Sequence, residues 1–582
     1  MAESIRADED WVVISKPGDY RVLGAEYGVS PMIARVLKNR GIESRDDAAV
    51  FLNGTIDGLK GAEYLKDADR LTDILSEKID SGRKIRIIGD YDIDGVCSAF
   101  ILCKGLLKAG ADADYVIPHR MRDGHGLNER LIREAADQGV DTVLTCDNGI
   151  SADREIELAN KLGLTVLVTD HHAVPFHLEG ELKKEELPTA AAVVDPHRSD
   201  CQYPYKMLCG AVVAYKVLEL LYKKRGIPHG EAEEFLEIAA FATVGDVMPL
   251  TGENRILVKE GLKRLENTVN PGLRALIDIN DLSGKSLTPY HLGFILGPSI
   301  NAAGRLRSAD LAMELLLSAD AGEAGERAAV LKELNESRRD MTEKALNEAV
   351  EIVENSGMQG NSILAVYLED CHESIAGIVA GKLKERFNRP SFILTNGSLS
   401  DGSPCLKGSG RSIEAYDMHA ALVEIKDLFL QFGGHAMAAG LSLPKEKLSE
   451  FRRRLNENSH LTERDLKRKV RLDAELPFRA VDLGLVNEFS LLEPFGTGNE
   501  KPLFATRDVQ FGGLRVLGAK HNALKGSGRD REGIEREVIY FGDAEAMLGI
   551  LGDGRPHSIA YMPDRNEYNG EVKLQLVIKN VK

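Results

Sequence analysis

A chain of 582 residues with 43% hydrophobic and 28% charged content is long enough for three or four globular domains with a sizeable core. It contains no uninterrupted apolar run of about 18 residues, and its start, MAESIRADEDWVV, has neither the basic end nor the apolar core of a secretory leader, so a cytoplasmic protein with no membrane association is expected. The net charge of −17 argues against a protein that coats nucleic acid nonspecifically, while leaving room for a local basic groove, and the seven cysteines include no CxxC pair that would suggest a zinc finger.

The first 70 residues hold one plausible helix, Ser30 to Arg40, and an acidic stretch without evident chemistry; they read as an N-terminal packing segment. From Lys84 onward, short β-branched runs alternate with helical segments, the pattern of a parallel sheet covered on both faces. Lys84 to Ile88 reads as a buried strand, and from Gly95 the residues Val96, Ala99, Phe100 and Cys103 recur at helical spacing. Between them lie Asp90, Asp92 and Asp94, closed by Gly95. Alternate residues of an extended turn project to one side, so at least two of these acids should converge at the strand's carboxyl end. Carboxylates packed so closely repel one another, and a divalent cation relieves the repulsion; hard oxygen ligands point to Mg²⁺ or Mn²⁺. The alternative is a solvated acidic loop whose aspartates cap a helix.

Three further strands are expected to end in acids. DTVLTC (Asp141 to Cys146) is followed by Asp147, Asn148 and Gly149; TVLVT (Thr165 to Thr169) by Asp170, His171 and His172; and Ala191 to Val194 by Asp195, Pro196 and His197. In open α/β sheets the ligand crevice lies beyond the carboxyl ends of the strands, which makes these residues candidates for one shared site. A single strand-end Asp is commonly a helix cap, but four with adjacent histidines are harder to explain that way, and a mixed carboxylate and imidazole shell suits Mn²⁺. The apolar helix Phe235 to Val244 also ends at an acid, Asp246.

Ala321 to Ser356 is charged, with apolar residues at helical intervals, and reads as a solvated helix joining two lobes. In the second lobe, KGSGRS offers Gly408 and Gly410, whose backbone amides could point at one anion, together with side-chain donors on Ser409 and Arg411; the Gly-Lys-Ser/Thr ending of a Walker loop is absent. The last stretch contains short strands such as Lys469 to Leu472, Val538 to Phe541 and Val572 to Ile578, with a hairpin signal at Glu567, Tyr568, Asn569 and Gly570. Such a series suits a small barrel. Lys467 to Arg471, Arg507, Arg515, Lys520 and Lys525 are candidate nucleic-acid contacts on it, against the plainer reading of a solvated charged face.

These segments carry a family resemblance. GDYDIDG (Gly89 to Gly95), CDNGIS (Cys146 to Ser151), TDHH (Thr169 to His172), LCGAVVAYK (Leu208 to Lys216) and VGDVMPL (Val244 to Leu250) resemble the successive motifs of the DHH phosphoesterase superfamily. With GPSINAAGR (Gly297 to Arg305), KGSGRSI (Lys407 to Ile413), FGGHAMAAGLSL (Phe432 to Leu443) and EPFGTGNEKPLF (Glu493 to Phe504), they resemble in particular its RecJ family of single-strand-specific 5′→3′ exonucleases, over about residues 20 to 582. The resemblance implies two α/β lobes joined by a long helix, followed by a β-barrel of the oligonucleotide-binding (OB) type. It divides the chain into an N-terminal segment (1–70), a DHH catalytic domain (71–305), connecting helices (306–357), a DHH-associated domain (358–458) and an OB fold (459–582).

By the same resemblance, Asp94, Asp147, His171 and Asp246 would hold one metal ion, and Asp92, Asp147 and Asp90 the other, so that Asp147 bridges the pair. His172 would sit beside the scissile phosphate, with Asp90 and Asp147 sharing the catalytic role. Arg120, Arg305, Ser409 and Arg411 would grip a 5′ phosphate, while Gly433, Gly434 and His435 would contact the substrate backbone. The implied function is hydrolysis of single-stranded DNA from its 5′ end in repair and recombination, with two Mn²⁺ or Mg²⁺ ions, and with a single-strand-binding protein and a helicase as partners. The other readings are a DHH phosphodiesterase of short RNAs or cyclic dinucleotides, and a noncatalytic replication scaffold. One departure is Cys371, which stands where the family usually has Trp in its Asp-Trp-His segment.

Overall fold

The computed structural model describes residues 9–180, 182–399, 401–518, 521–568 and 570–582. Lys520 and Asn569, named above, lie outside the described residues. The chain forms two compact units: residues 43–336 with 491–500, and residues up to 42 with 337–490 and 501–582. The segment before residue 70 is therefore shared between them.

The first unit is built on a five-stranded parallel sheet of β1 (Lys84–Ile88), β2 (Asp112–Val116), β3 (Thr142–Cys146), β4 (Thr165–Thr169) and β5 (Ala192–Val194), in the order β2-β1-β3-β4-β5. Strand side chains alternate between two cores: Ile85, Ile87, Leu144 and Leu167 enter one, and Ile88, Val143, Val166 and Val168 the other. Burial on both faces is why these runs are mostly apolar, Arg86 in β1 being buried against Asp114. The order reverses at β1, which has β2 on one side and β3 on the other, so the switch-point crevice opens beyond the ends of β1 and β3.

Helix α1 (Ile93–Lys108) starts four residues after β1 closes, and Asp92 caps it: its Oδ1 accepts from the amides of Asp94 at 3.0 Å and Gly95 at 3.2 Å. A Cβ on Gly95 would lie 2.4 Å from the Asp90 nitrogen, so glycine is what lets the helix begin against the strand end. Helix α1 packs on α2 (Gly210–Arg225), and α3 (Leu236–Gly245) packs beside both. Helix α4 (Gly297–Leu306) follows a five-residue π-turn, Leu292–Leu296, and Asn301 on it accepts from the Ile93 amide at 2.8 Å, fixing the start of α1. The long connecting helix α5 spans Ala321–Asn355, close to its expected limits.

In the second unit, β6 (Leu364–Tyr367), β7 (Ser391–Ser398), β8 (Pro404–Arg411), β9 (Gln431–His435) and β10 (Ala438–Leu443) form a sheet ordered β9-β10-β8-β7-β6, antiparallel except between β6 and β7. This corrects the reading of KGSGRS as an amide nest. Gly408 and Gly410 lie inside β8, which is paired on both edges, so their backbone groups belong to the ladder rather than to an anion. Glycine is required there by packing: a Cβ on Gly410 would meet Met418 Sδ at 2.4 Å and the Phe392 ring at 2.5 Å. Helix α6 (Glu373–Phe387) is capped by His372, and Cys371 is buried in the core beside it, so the position that the resemblance associates with a Trp holds a small packed thiol.

The C-terminal strands β11 (Phe504–Leu517), β12 (Ala523–Arg529), β13 (Glu535–Phe541), β14 (His557–Tyr568) and β15 (Glu571–Val581) are ordered β11-β12-β13-β15-β14, and β11 also pairs with β14, which partly closes the ring. The N-terminal strand Glu9–Val13 pairs in parallel with Arg468–Leu472, inside the basic run. Several cations proposed for this region face acids: Arg471 pairs with Glu414, Arg507 with Glu475 and Lys525 with Glu537. Arg515 is exposed. Among the described residues no helix is long and apolar enough to cross a membrane.

Candidate metal centre

The acids and imidazoles that sequence spacing scatters over more than 150 residues meet at the switch point. Asp90, Asp92 and Asp147 form one group able to hold an ion, and Asp94, His171 and Asp246 another, each with its ligand atoms within 4.8 Å of one another. Asp147 joins the two groups, its Oδ1 lying 3.0 Å from His171 Nε2. His171 Nε2 is also 3.4 Å from Asp94 Oδ2 and 3.8 Å from Asp246 Oδ2.

Each ligand is set by its own local device. Asp147 follows β3 with φ 61°, a left-handed conformation that, after glycine, asparagine and aspartate tolerate best. Asp94 is held by the start of α2, whose Gly210 and Ala211 amides donate to its two oxygens at 2.6 and 2.9 Å. A Cβ on Gly210 would lie 2.7 Å from Asp147 Cβ, so the glycine of LCGAVVAYK is the space in which these two carboxylates meet. Asp90 accepts from the Gly126 amide at 3.2 Å and faces His125 Nδ1 at 3.1 Å.

The electrostatics fit a cation. Burial, with Asp94, Asp92, Asp90 and Asp246 close by, pushes the Asp147 carboxyl well above the usual carboxylate range. Burial and the neighbouring acids push Asp246 up to about 8 and Asp92 up to about 6. Asp147 Oδ1 is buried without a hydrogen-bond partner, although His171 is near. An unsatisfied carboxylate oxygen in a cluster of acids is costly unless positive charge fills the space between them. Burial lowers the pKa of His171 and so favours the neutral ring that can ligate a metal.

His172 is arranged differently. Its Nδ1 faces Asp170 Oδ1 at 2.7 Å, and that carboxylate also accepts from the His171, His172 and Ile150 amides. Burial alone would raise the Asp170 pKa, but these partners hold it at about 2; burial likewise opposes charge on His172, but Asp170 lifts its pKa to about 9. Asp170 therefore favours the charged form of His172, with Nδ1 occupied and Nε2 left to donate. Sequence spacing placed Asp170 at a strand end without a role; its role is to orient this ring. His125, between Gly124 and Gly126, was not anticipated, and its ring stands edge-on to His172 at 5.5 Å. The glycines on either side, both at positive φ, were its only signal.

Arg120 packs over Tyr91, and Arg305 is close enough to act on it electrostatically. The Arg120 guanidinium lies 4.8 Å from the ring centroid, and both arginines act electrostatically on the hydroxyl, which burial and Asp90 nevertheless push up to about 12. Glycine at 304 permits this approach, because a Cβ there would lie 2.2 Å from the Tyr91 carbonyl. Arg120 thus lies over a phenol whose backbone neighbours are Asp90 and Asp92.

Ser409 and Arg411 lie in the second unit, on one face of β8, with Arg411 Nη1 donating to the Gly410 carbonyl at 2.8 Å and to Ser409 Oγ at 3.3 Å. Gly377 on α6 leaves room for the pair, since a Cβ there would sit 2.8 Å from both side chains. Gly433, Gly434 and His435 are exposed on the edge strand β9.

Comparison with known proteins agrees with this architecture. Residues 84–243 match the DHH family N-terminal domain, 360–459 the DHHA1 domain and 472–580 the RecJ OB domain. The chain is 34% identical over 571 residues to the single-stranded-DNA-specific exonuclease RecJ of Bacillus subtilis, covering 97% of this chain and 70% of that one. It is 32% identical to the RecJ of Escherichia coli, covering 95% and 96%. The crystal structure of RecJ from Thermus thermophilus in complex with Mn²⁺ superposes with a TM-score of 0.82 at 29% identity, covering 98% of this chain and 79% of that one.

Proposed function

Since this chain belongs to the RecJ family of DHH phosphoesterases, we propose that it is a single-strand-specific DNA exonuclease that hydrolyses phosphodiester bonds from the 5′ end. The observation that carries the reading is the convergence of Asp90, Asp92, Asp94, Asp147, His171 and Asp246 at the switch point of the catalytic sheet. Two divalent cations, Mn²⁺ or Mg²⁺, suit this donor set. Asp94, Asp147, His171 and Asp246 would hold one, and Asp90, Asp92 and Asp147 the other.

Such a pair lowers the pKa of an attacking water and neutralises charge on the phosphate. The chain does the rest. Asp147, which adjoins both groups of donors, would be the ligand that the two ions share. His171 supplies a neutral nitrogen. His172, oriented by Asp170, would direct Nε2–H at a phosphate oxygen and stabilise charge as it develops. No side-chain nucleophile is needed.

Polarity follows from recognition of a terminal phosphate. Arg120 and Arg305 beside Tyr91 supply cationic donors in the catalytic unit, and Ser409 and Arg411 supply another pair; Gly433, Gly434 and His435 offer a side-chain-poor edge to the strand backbone. The OB domain would hold the strand further along. In the cytoplasm, a helicase would unwind the strand and a single-strand-binding protein would present it, for repair and recombination.

The experiment is digestion of end-labelled single-stranded, duplex and dinucleotide substrates with Mn²⁺, beside Asp147→Ala. Release of nucleotides from the 5′ end of single strands alone is expected, with activity lost and the fold retained in the variant. Cleavage of the dinucleotide alone would make the protein a small-substrate phosphodiesterase, and full activity in the variant would remove Asp147 from the centre.

A further inference from the structure

Three features that folding alone disfavours lie on neighbouring segments beside the catalytic centre. Tyr290 and Phe294 are 62% and 70% exposed, yet their rings are stacked, with centroids 5.2 Å apart and planes at 23°. They flank the start of the π-turn Leu292–Leu296, an element with poorer hydrogen-bond geometry than an α-helix and one that recurs at functional sites. Val247, the residue after Asp246, is 66% exposed and has φ 59°, a conformation that a β-branched residue adopts only when its surroundings force it.

These features share a junction. The Val244 carbonyl accepts the Val247 amide at 3.1 Å, and a Cβ on Gly293, in the π-turn, would lie 3.4 Å from the Val244 side chain and 3.9 Å from that same carbonyl. On the other side of the turn, a Cβ on Gly297 would lie 3.3 Å from Ile93, which sits between Asp92 and Asp94. The aromatic pair and the strained valine thus lie on segments that pack together next to the residues carrying Asp246 and Asp94, and all three side chains are exposed.

We infer that the exposed pair, Tyr290 and Phe294, forms an apolar shelf that is a stacking platform for nucleobases of the single strand being degraded. The inference rests on the exonuclease reading above and adds to it a base-contacting subsite. The occupant follows from place and chemistry: the shelf adjoins a centre that acts on phosphodiesters, and flat π faces bind bases without regard to sequence, as a nonspecific exonuclease requires. A duplex, whose bases are already stacked, has no face to offer it. Selectivity for single strands would then come partly from the bases and not only from the width of the path to the metals.

The test compares 5′-phosphorylated oligothymidylate with the same strand carrying abasic sites at positions two to five, using the full protein with Mn²⁺. Wild type is expected to favour the strand with bases by about tenfold in kcat/KM, mainly through KM. The double variant Tyr290→Ala/Phe294→Ala should bring that ratio close to one, and Tyr290→Leu/Phe294→Leu, which keeps apolar volume without a π face, should do the same. Phe294→Trp should preserve it. An unchanged ratio in the double alanine variant overturns the proposal, as does a wild type indifferent to the missing bases. A shift in sedimentation without a change in ratio would make the occupant a second copy of this chain, which also overturns it. A wild type that digests neither strand would instead remove the exonuclease reading, and this inference with it.

Discussion

Replacing Gly210 by alanine adds one methyl group at the point where the two halves of the metal centre meet. That methyl would lie 2.7 Å from Asp147 Cβ and 3.0 Å from both Asp147 Cα and Asp94 Oδ2. Two effects of opposite sign follow. Alanine at the start of α2 gains about 0.5–1 kcal/mol of helix preference over glycine. Overpacking costs about 1–3 kcal/mol, because Asp147 is anchored to β3 and Asp94 to α1 and neither can swing away freely. The net loss, no more than about 2.5 kcal/mol, should leave the chain folded. Function should suffer more than stability: relaxing a 2.7 Å contact to an ordinary 3.4 Å one displaces a ligand by about 0.7 Å, beyond the tolerance of about 0.5 Å for a productive site. The Asp94 carboxylate would also shift off the Gly210 and Ala211 amides that hold it. Calorimetric titration with Mn²⁺ should show affinity reduced about 10–100-fold, with a comparable fall in exonuclease rate and a near-native circular dichroism spectrum. Affinity and rate both within twofold of wild type, in a folded variant, would refute the claim that Gly210 sets the spacing of the two carboxylates.

Removing the Arg411 guanidinium by Arg411→Ala should weaken binding of 5′-phosphorylated strands about tenfold or more while leaving 5′-hydroxyl strands less affected, since a charged hydrogen bond to phosphate is worth about 1.5–3 kcal/mol. Fluorescence anisotropy with the two oligonucleotides reads the difference, and equal losses would make Arg411 a general backbone contact. A third expectation concerns acid. Asp114 on β2 receives the buried Arg86 of β1 at 2.8 and 2.6 Å; burial works against its charge, but Arg86 and Lys84 hold its pKa below the usual value. A depressed carboxyl pKa contributes stability that is fully present above about pH 4 and is lost as pH falls through the folded-state pKa. Asp114→Asn should therefore cost about 1–3 kcal/mol in urea melts at pH 7, with the gap to wild type closing toward pH 3; a gap independent of pH would count against the pair.

The strands and their acidic ends were legible because parallel strands buried on both faces are predominantly apolar, with Arg86 a paired exception inside β1, and acids cluster where the chain leaves the sheet. Lys84–Ile88 and Thr165–Thr169 were read to the residue for that reason. Glycine was less informative. In KGSGRS it suggested a loop, whereas Gly408 and Gly410 are strand residues whose missing side chains make way for Leu441, Phe392 and Met418. Glycine reports close approach, and sequence does not say by what.

Residue types and their order determined that this chain would carry carboxylates and imidazoles at the ends of buried strands, because local patterning fixes where each strand stops. The tertiary structure alone decided that Asp147 stands between two groups, that Asp170 is spent on orienting His172, that His125 faces Asp90, and that Arg120 and Arg305 both act on one tyrosine. Those relations join residues far apart in the chain through strand order and helix packing. They depend on distances of a few ångströms between elements, a quantity that no local pattern encodes.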